Sequence, residues 1–204
     1  WSELFDKVSS SLDRDALEIR REAGERVGIG LACFLERSGL GPWEWGSVRI
    51  DAEGEVEVRS GCTPVGQGVE EVIESIAATS LGVDRQRVRF VPMDSDFNSE
   101  GIGTFASRST VMGGNAVHLA ALELIATARR FIQGNYVGEI SDVEYSNGAF
   151  FSLEGKELFT LTDIAAAQEE GHLVADARYE SAKVCTDFGA HGAQVRIDPE
   201  TGEV

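Results

Sequence analysis

Residues 47–83 read SVRIDAEGEVEVRSGCTPVGQGVEEVIESIAATSLGV. In the first part of this stretch, apolar and polar residues alternate on both sides of a turn at residues 52–54, which predicts a β-hairpin over residues 47–60. From Val69 to Leu81 the apolar residues recur at helical spacing, and Gly82 follows where a helix cap is expected. A hairpin that leads directly into a helix is typical of an α+β arrangement.

The rest of the chain continues this succession of hairpins and helices. The same kinds of pattern predict a helix over 2–23, a buried strand over 27–36, a strand over 88–91, a long buried helix from Gly113 to about Phe131, a hairpin over 143–153 turning at Asn147-Gly148, a short helix capped by Thr162 and closed by Gly171, a strand over 173–179, and a last hairpin from Gln194. Together they predict an α+β fold with mixed, mostly antiparallel sheets and hairpins packed with helices. A subdomain boundary is predicted near residues 134–141.

The charge of the chain restricts its partners. It has 35 acidic and 18 basic residues, a formal net charge of −17. Such a chain repels phosphate backbones and anionic membrane surfaces at long range, so neither nucleic acid nor a membrane is expected as a partner. No apolar run is expected to span a membrane. A bound anion would therefore need local backbone donors.

The cysteines and histidines predict no metal site held by protein ligands. Cys33, Cys62 and Cys185 are far apart and form no Cys-x-x-Cys pair. We interpret them as small, buried apolar residues in a reducing compartment, which predicts a cytoplasmic protein. The three histidines have no metal-ligand spacing.

Both ends of the chain predict that residues 1–204 are a fragment of a longer protein. The chain opens at Trp1 and closes at Val204, two residues into the return strand of an apparent hairpin whose turn is residues 198–202. An unpaired strand edge is an unusual place for a natural chain to stop.

Two glycine-containing loops, residues 66–68 and 101–114, each run into a predicted helix. The first turn of a helix leaves backbone N–H groups unpaired and the macrodipole adds partial positive charge, so a phosphate is well accommodated there. Glycine lets a ligand approach the backbone closely. The side chains that could add to these donors are Gln67, Ser107, Arg108, Ser109 and Thr110.

Other interpretations of these loops stay open at this point. Glycines also simply mark turns. Residues 101–106 fit the G-x-G-x-x-A pattern of a Rossmann-type nucleotide-binding domain, which a parallel sheet would support. A calcium loop beginning at Asp94 is rejected because the required glycine and glutamate positions hold Ser99 and Phe105. No Gly-x-Ser-x-Gly elbow is present, so a serine hydrolase is not predicted.

Three stretches together resemble a known family. They are Gly66-Gln67-Gly68 with the helix ending at Leu81-Gly82-Val83, the run from Gly103 to Thr110, and the stretch from Gly189 to Val204. In order and spacing they look like the molybdenum-pterin-binding large subunits of the xanthine dehydrogenase/aldehyde oxidase family. The resemblance covers nearly the whole chain and implies a fold like the molybdenum cofactor-binding domain.

The resemblance implies a molybdenum-molybdopterin cofactor, in bacterial members often the cytosine dinucleotide form. Gly66, Gln67 and Gly68 would contact the pterin, and four residues would line its phosphate or dinucleotide portion: Ala106, Ser107, Arg108 and Ser109. The pterin's dithiolene holds the metal, so no protein metal ligand is expected. The implied reaction hydroxylates a heteroaromatic or aldehyde carbon of a small-molecule substrate with oxygen from water. Electrons would leave through iron-sulfur and FAD, or other electron-acceptor, subunits or domains of an oligomeric parent.

The catalytic glutamate of the family would lie beyond Val204. We therefore expect no catalytic residue in this chain, and the isolated fragment is predicted to be inactive and without cofactor. Glu71 stands where many relatives carry threonine, which adds a negative charge near the anion site. An alternative prediction is therefore a non-catalytic module, derived from the same fold, that binds an anion or a partner.

Overall fold

The computed structural model describes residues 2–96, 100–136, 142–181, 183 and 185–204. The chain divides into two compact units, one formed by Ser38–Cys185 and the other by Trp1–Arg37 with Thr186–Val204. The predicted boundary near residues 134–141 falls mostly on residues 137–141, which lie outside the described residues.

The described helices and strands alternate along the chain. The helices are α1 Ser2–Ser11, α2 Arg14–Glu22, α3 Val69–Leu81, α4 Asn115–Asn135 and α5 Leu161–Ala166. The strands are β1 Arg26–Ser38, β2 Trp43–Asp51, β3 Val56–Ser60, β4 Val88–Phe90, β5 Glu144–Ser146, β6 Ala149–Phe151, β7 Glu157–Thr160, β8 His172–Glu180 and β9 Cys185–Ile197. A 3-10 turn, Arg85–Arg87, precedes β4, and a π-helical turn, Ser109–Gly114, leads into α4.

A four-stranded sheet in the order β4-β3-β2-β8 forms the centre of the larger unit. The predicted hairpin is confirmed: β2 and β3 pair antiparallel, with Val48 opposite Val58. Strand β8 pairs antiparallel with the other edge of β2, and only β4 pairs parallel, with β3. A second sheet, β5-β6-β7, is antiparallel throughout. The mixed, mostly antiparallel fold is therefore confirmed, and the antiparallel neighbours of β2 oppose the Rossmann interpretation.

Helices α3 and α4 cover one face of the four-stranded sheet and form the core with its inward-facing residues. The helix from Ser109 to Asn135 is long and apolar enough to cross a membrane by length and composition alone, which the sequence analysis did not expect. However, 56% of its most apolar stretch is buried inside the protein, where Val117, Ala120 and Leu124 are fully covered. This burial fits the core helix of a globular domain.

The opposite face of the same sheet is charged. Glu57 on β3 pairs with Arg89 at 2.7 Å and with Arg59 at 3.6 Å. Arg178 on β8 lies over the ring of Trp43, 3.9 Å from its centroid. Because side chains alternate between the two faces of a strand, β2 and β3 combine an apolar inner face with this polar outer one.

Helix α5 begins two residues earlier than predicted. Its N-cap is Thr160, not Thr162: the Thr160 hydroxyl accepts from the backbone N–H of Asp163 at 3.0 Å. The Asp163 carboxylate in turn accepts from the Thr160 N–H at 2.8 Å. This reciprocal capping box satisfies two backbone donors at once, and a prediction that considered Thr162 alone overlooked it.

The capping box should contribute pH-dependent stability. Thr160→Ala should lower the free energy of unfolding by about 1 kcal/mol near neutral pH. The hydrogen bonds from Thr160 lower the pKa of Asp163. The ionised Asp163 carboxylate therefore stabilises the folded protein at any pH above the ordinary aspartate pKa. This stabilisation is lost as the pH falls from the ordinary pKa through the lowered pKa of the folded protein. The difference between variant and wild type should therefore shrink below about pH 4. Urea unfolding at several pH values measures it, with Thr162→Ala as control. An equal loss in both variants would contradict the assigned cap.

The smaller unit contains α1, α2 and the pair β1-β9. The predicted single helix over 2–23 is wrong, because Asp13 adopts a left-handed conformation with φ 39° and caps α2 by accepting from the Ala16 N–H. The prediction of a strand over 27–36 is confirmed, but most of β1 is exposed, including Phe34 and Leu35. An apolar run predicts a strand from its composition and cannot specify what covers it.

Candidate functional site

A buried ion pair between Glu44 and Arg108 lies at the centre of the candidate site. Glu44 is on the inner face of β2, and Arg108 directly precedes the π-helical turn that leads into α4. Both side chains are fully buried, and Nη1 of Arg108 donates to Oε2 of Glu44. An isolated charge in a protein interior is strongly disfavoured, so each of these groups depends on the other.

The guanidinium of Arg108 also binds three backbone carbonyls. Its Nε donates to the oxygen of Leu40 at 2.8 Å, its Nη1 to that of Gly103 at 2.7 Å, and its Nη2 to that of Trp43. The Arg108 side chain therefore fixes two separate stretches of backbone, residues 40–43 and Gly103.

The carboxylate of Glu44 is surrounded by donors. Oε1 accepts from the backbone N–H of Trp45 at 2.9 Å and of Ile102 at 3.2 Å. Oε2 accepts from the N–H of Gly103 at 3.2 Å, in addition to Arg108. Charge-assisted hydrogen bonds of this kind are stronger than neutral ones, so they hold the loop that contains Ile102 and Gly103 against the sheet.

Cys62 lies beneath the same loop. Its Sγ is 3.6 Å from Oε2 of Glu44 and 3.7 Å from the carbonyl oxygen of Gly103, so its single hydrogen can donate to one of them at a time. The side chain is fully buried. Burial, and next the nearby Glu44 charge, raise the pKa of the Cys62 thiol. The thiol form is therefore favoured, and thiolate reactivity is low.

Two glycines allow the loops to approach each other. A Cβ added to Gly61 would lie 2.5 Å from the Cα of Gly101 and 2.1 Å from Oε1 of Glu44. A Cβ added to Gly101 would lie 2.6 Å from the Cα of Gly61. Only glycine fits on either side of this contact, where the residues after β3 meet the second glycine loop.

The first predicted loop ends in an open helix start. Gly66 and Gly68 have positive φ, 92° and 75°, which glycine adopts without strain. Gly68 is the N-cap of α3, and no side chain caps that helix. Gln67 is exposed, and its Oε1 accepts from the N–H of Val65 at 2.7 Å. The backbone donors of the first helical turn thus lack the side-chain partner that a serine or aspartate cap would provide.

The second predicted loop contains two non-glycine residues in a left-handed conformation, Ala106 with φ 47° and Ser107 with φ 49°. Such conformations cost energy and persist where neighbouring contacts enforce them. Here the Ser107 carbonyl accepts from the N–H of Gly39 at 3.1 Å. The next residue is the buried Arg108, whose anchoring holds the strained pair in place.

The structure joins the second loop to residues 61–63, which precede the first loop in the chain. The hydroxyl of Thr104 donates to the carbonyl of Thr63 at 2.7 Å. The Ser109 hydroxyl lies 3.5 Å from that of Thr104 and also interacts with Cys62. These contacts join residues 61–63 to residues 101–104. The binding roles predicted for Gly66, Gln67, Gly68, Ala106, Ser107 and Ser109 stay predictions.

The role expected for Arg108 needs correction. The sequence predicted a cation available to a bound phosphate at this position. The side chain is fully buried, and its donors go to Glu44 and to backbone carbonyls. Its positive charge is therefore paired with Glu44 inside the protein, and the cofactor-binding role expected for Arg108 stays a prediction.

Sequence reasoning missed Glu44. The predicted hairpin began at Ser47, whereas β2 begins at Trp43, so Glu44 was not recognised as a strand residue. Extending the alternation back from Ile50 through Val48 and Gly46 would have placed Glu44 on the buried face. A charged residue at an inward position signals a buried partner, although it does not identify that partner.

Known proteins resemble this chain in sequence and in fold. A family model described as molybdopterin cofactor-binding domain matches residues 7–204. The gamma subunit of the 6-hydroxypseudooxynicotine dehydrogenase complex of Paenarthrobacter nicotinovorans is 33% identical over 191 residues, which cover 89% of this chain and 24% of that protein. The carbon monoxide dehydrogenase large chain of Hydrogenophaga pseudoflava is 29% identical over 87% of this chain and 24% of its own length.

Solved structures agree with these matches. A crystal structure of the Cu,Mo-CO dehydrogenase superposes with a TM-score of 0.75 at 26% identity, covering 97% of this chain and 28% of that one. Quinoline 2-oxidoreductase from Pseudomonas putida 86 has the same fold, with a TM-score of 0.76 at 24% identity, covering 98% of this chain and 28% of that one. The chain spans about a quarter of the length of the relatives it matches. It therefore belongs to the molybdopterin cofactor-binding domain family and corresponds to part of the molybdenum-binding subunits of the xanthine dehydrogenase, carbon monoxide dehydrogenase and aldehyde oxidase family.

Proposed function

We propose that this chain supplies part of the surface that binds a molybdenum-pterin cofactor in an oxidoreductase. The observation that carries the proposal is the uncapped start of α3, preceded by two positive-φ glycines. It follows residues 61–63 in the chain, and these residues contact the second loop, which an internal ion pair holds in place. A phosphorylated pterin offers the anionic groups that free helix-start amides favour.

The residues present fit such a group. A Cβ added at Gly66, Gly68 or Gly103 would meet nothing within 4 Å, so the backbone at these positions faces open space. A ligand can approach the backbone there without displacing side chains, and the Gly103 N–H already donates to Glu44. Glu70 and Glu71 in the first turn of α3 add negative charge, so binding would rest on directed backbone donors more than on a positive field.

When bound, the cofactor supplies the redox-active metal for hydroxylating a heteroaromatic or aldehyde carbon with oxygen from water. The residues of this chain would bind and orient it. We further propose the cytosine dinucleotide form, a cytoplasmic and oligomeric parent, and iron-sulfur and FAD or other electron-acceptor partners. Membership in the family and the subunit names of the relatives support these proposals.

The direct test is the cofactor content of the full-length protein. Molybdenum is measured by mass spectrometry, pterin by fluorescence after acid oxidation, and cytidine nucleotide by chromatography after acid release. Metal, pterin and cytidine nucleotide together would support the whole proposal. A folded protein with neither metal nor pterin would refute it and would favour the non-catalytic alternative.

Gln67→Ala in the full-length protein should lower cofactor content more than stability. Loss of the one polar contact that Gln67 makes with the cofactor should reduce the molybdenum and pterin retained per protein roughly fivefold when the protein is diluted. Because Gln67 is exposed, the free energy of unfolding should change by no more than about 0.5 kcal/mol. Gln86→Ala, which replaces an exposed glutamine outside both loops, serves as the control. Equal cofactor content in the two variants would argue against a binding role for Gln67.

A further inference from the structure

We infer that Glu44 is a positioning residue, which fixes the loop of residues 101–108 in its cofactor-facing shape before any cofactor binds. This inference rests on the proposed function. It assigns a role to a buried carboxylate that touches neither the open helix start nor the exposed part of the loop.

The first step is connectivity: Glu44 binds the loop at both of its ends. One carboxylate accepts from two consecutive backbone amides at the start of the loop, Ile102 and Gly103. It also pairs with Arg108 at the end of the loop. Both ends of the loop are therefore fixed to the same side chain. Glu44 itself lies on β2, which is flanked by paired strands on both sides, so the anchor point is rigid.

The second step concerns where the pair lies. The described contacts of the pair are with residues 40–45, with Cys62 and with the loop itself. Loss of the pair should therefore loosen the loop more than it loosens the apolar core.

The third step is conformational strain. Ala106 and Ser107 both have left-handed φ, which a free loop of non-glycine residues rarely keeps. Arg108 immediately follows them, and Gly39 binds the Ser107 carbonyl at 3.1 Å. The ion pair thus enforces the backbone shape at the positions where the cofactor's phosphate or dinucleotide portion is expected.

The test variant is Glu44→Gln in the full-length protein. The change preserves the size of the side chain, but every polar partner of Glu44 named above donates to it. Both oxygens of Glu44 accept from N–H groups, so the NH2 group of the glutamine faces other donors in either orientation of the carboxamide. The hydrogen bonds on that side are therefore lost. Glu57→Gln is the matched control, since it makes the same chemical change on the neighbouring strand β3, where Glu57 pairs with Arg89 and Arg59 on the outer face.

Two local readouts follow the loop. Alkylation of Cys62, mapped by peptide mass spectrometry, should accelerate about tenfold or more in Glu44→Gln. The thiol becomes accessible, and the Glu44 charge that raises its pKa is lost, so amide exchange is the readout that reports on the loop alone. Amide exchange over residues 101–108 should accelerate more than amide exchange in the middle of α4, which changes only with the free energy of global unfolding. Molybdenum content should fall roughly tenfold, as it does when residues supporting a metal site are lost. Glu57→Gln should change none of these.

The outcomes separate the possible explanations. Unchanged alkylation, or equal acceleration throughout the larger unit, would overturn the positioning role. If Glu44→Gln does not fold, amide exchange is measured in wild-type protein from which the cofactor has been removed. Slow exchange at Ile102 and Gly103 would support a preformed loop. Exchange as fast as in an open loop would overturn the inference. If wild-type protein proves to contain no molybdenum or pterin, the proposed function fails, while the alkylation and exchange results still report on the loop.

Discussion

Arg108→Met should lower the free energy of unfolding by about 3–5 kcal/mol, because it leaves the fully buried Glu44 carboxylate without its counter-charge. Methionine approximates the length of the side chain, so lost packing contributes little. The carbonyls of Leu40, Trp43 and Gly103 lose their donor at the same time. Urea unfolding measured by circular dichroism reports the change.

The control for this prediction is an exposed ion pair. Arg130 and Glu123 on α4 form a similar contact at 2.6 Å, but their side chains are 61% and 50% exposed. Arg130→Met should therefore cost no more than about 1 kcal/mol. In a double-mutant cycle, adding Glu44→Leu to Arg108→Met should recover part of the loss, since no unpaired charge then remains buried. A double variant whose loss equals the sum of the two single losses would contradict coupling between Glu44 and Arg108.

Local rules were sufficient wherever a turn or a cap determines the structure. Asn147 and Gly148 adopt positive φ, 47° and 78°, between β5 and β6, as an Asn-Gly hairpin turn requires. Gly82 ends α3 with φ 65°, and its N–H donates to the carbonyl of Ala78. These features depend on residues that are neighbours in sequence, so the sequence reveals them directly.

Pairings between distant residues could not be predicted in this way. Strand β8 lies beside β2, although more than a hundred residues separate Ile50 from its partner Leu173. Alternation shows which face of a strand is buried but not which strand lies next to it. Glu44 and Arg108 are 64 residues apart in sequence, so their pairing could not be predicted from the sequence pattern either. The glycine loops were therefore recognisable, whereas the side chains that hold them were not.

Gly61→Ala should be strongly destabilising, although it adds only a single methyl group near the candidate site. The added Cβ would lie 2.1 Å from Oε1 of Glu44 and 2.5 Å from the Cα of Gly101. The second contact is with backbone, which cannot move aside as a flexible side chain can. The clash with Gly101 can be removed only if residues 101–103 move away from β2. This movement breaks the hydrogen bonds that Ile102 and Gly103 donate to Glu44.

We expect Gly61→Ala to lower the free energy of unfolding by about 3 kcal/mol, the upper part of the range for overpacking, because the clash and the lost hydrogen bonds add. Cofactor content and protection of Cys62 from alkylation should fall with it. Gly134→Ala is the control: Gly134 lies in α4, and a Cβ there meets nothing within 4 Å. It should raise the free energy of unfolding by about 0.5–1 kcal/mol, as expected for Gly→Ala in a helix. If Gly61→Ala unfolded at the wild-type urea concentration with Cys62 still protected, the close approach of the two loops would have no energetic importance.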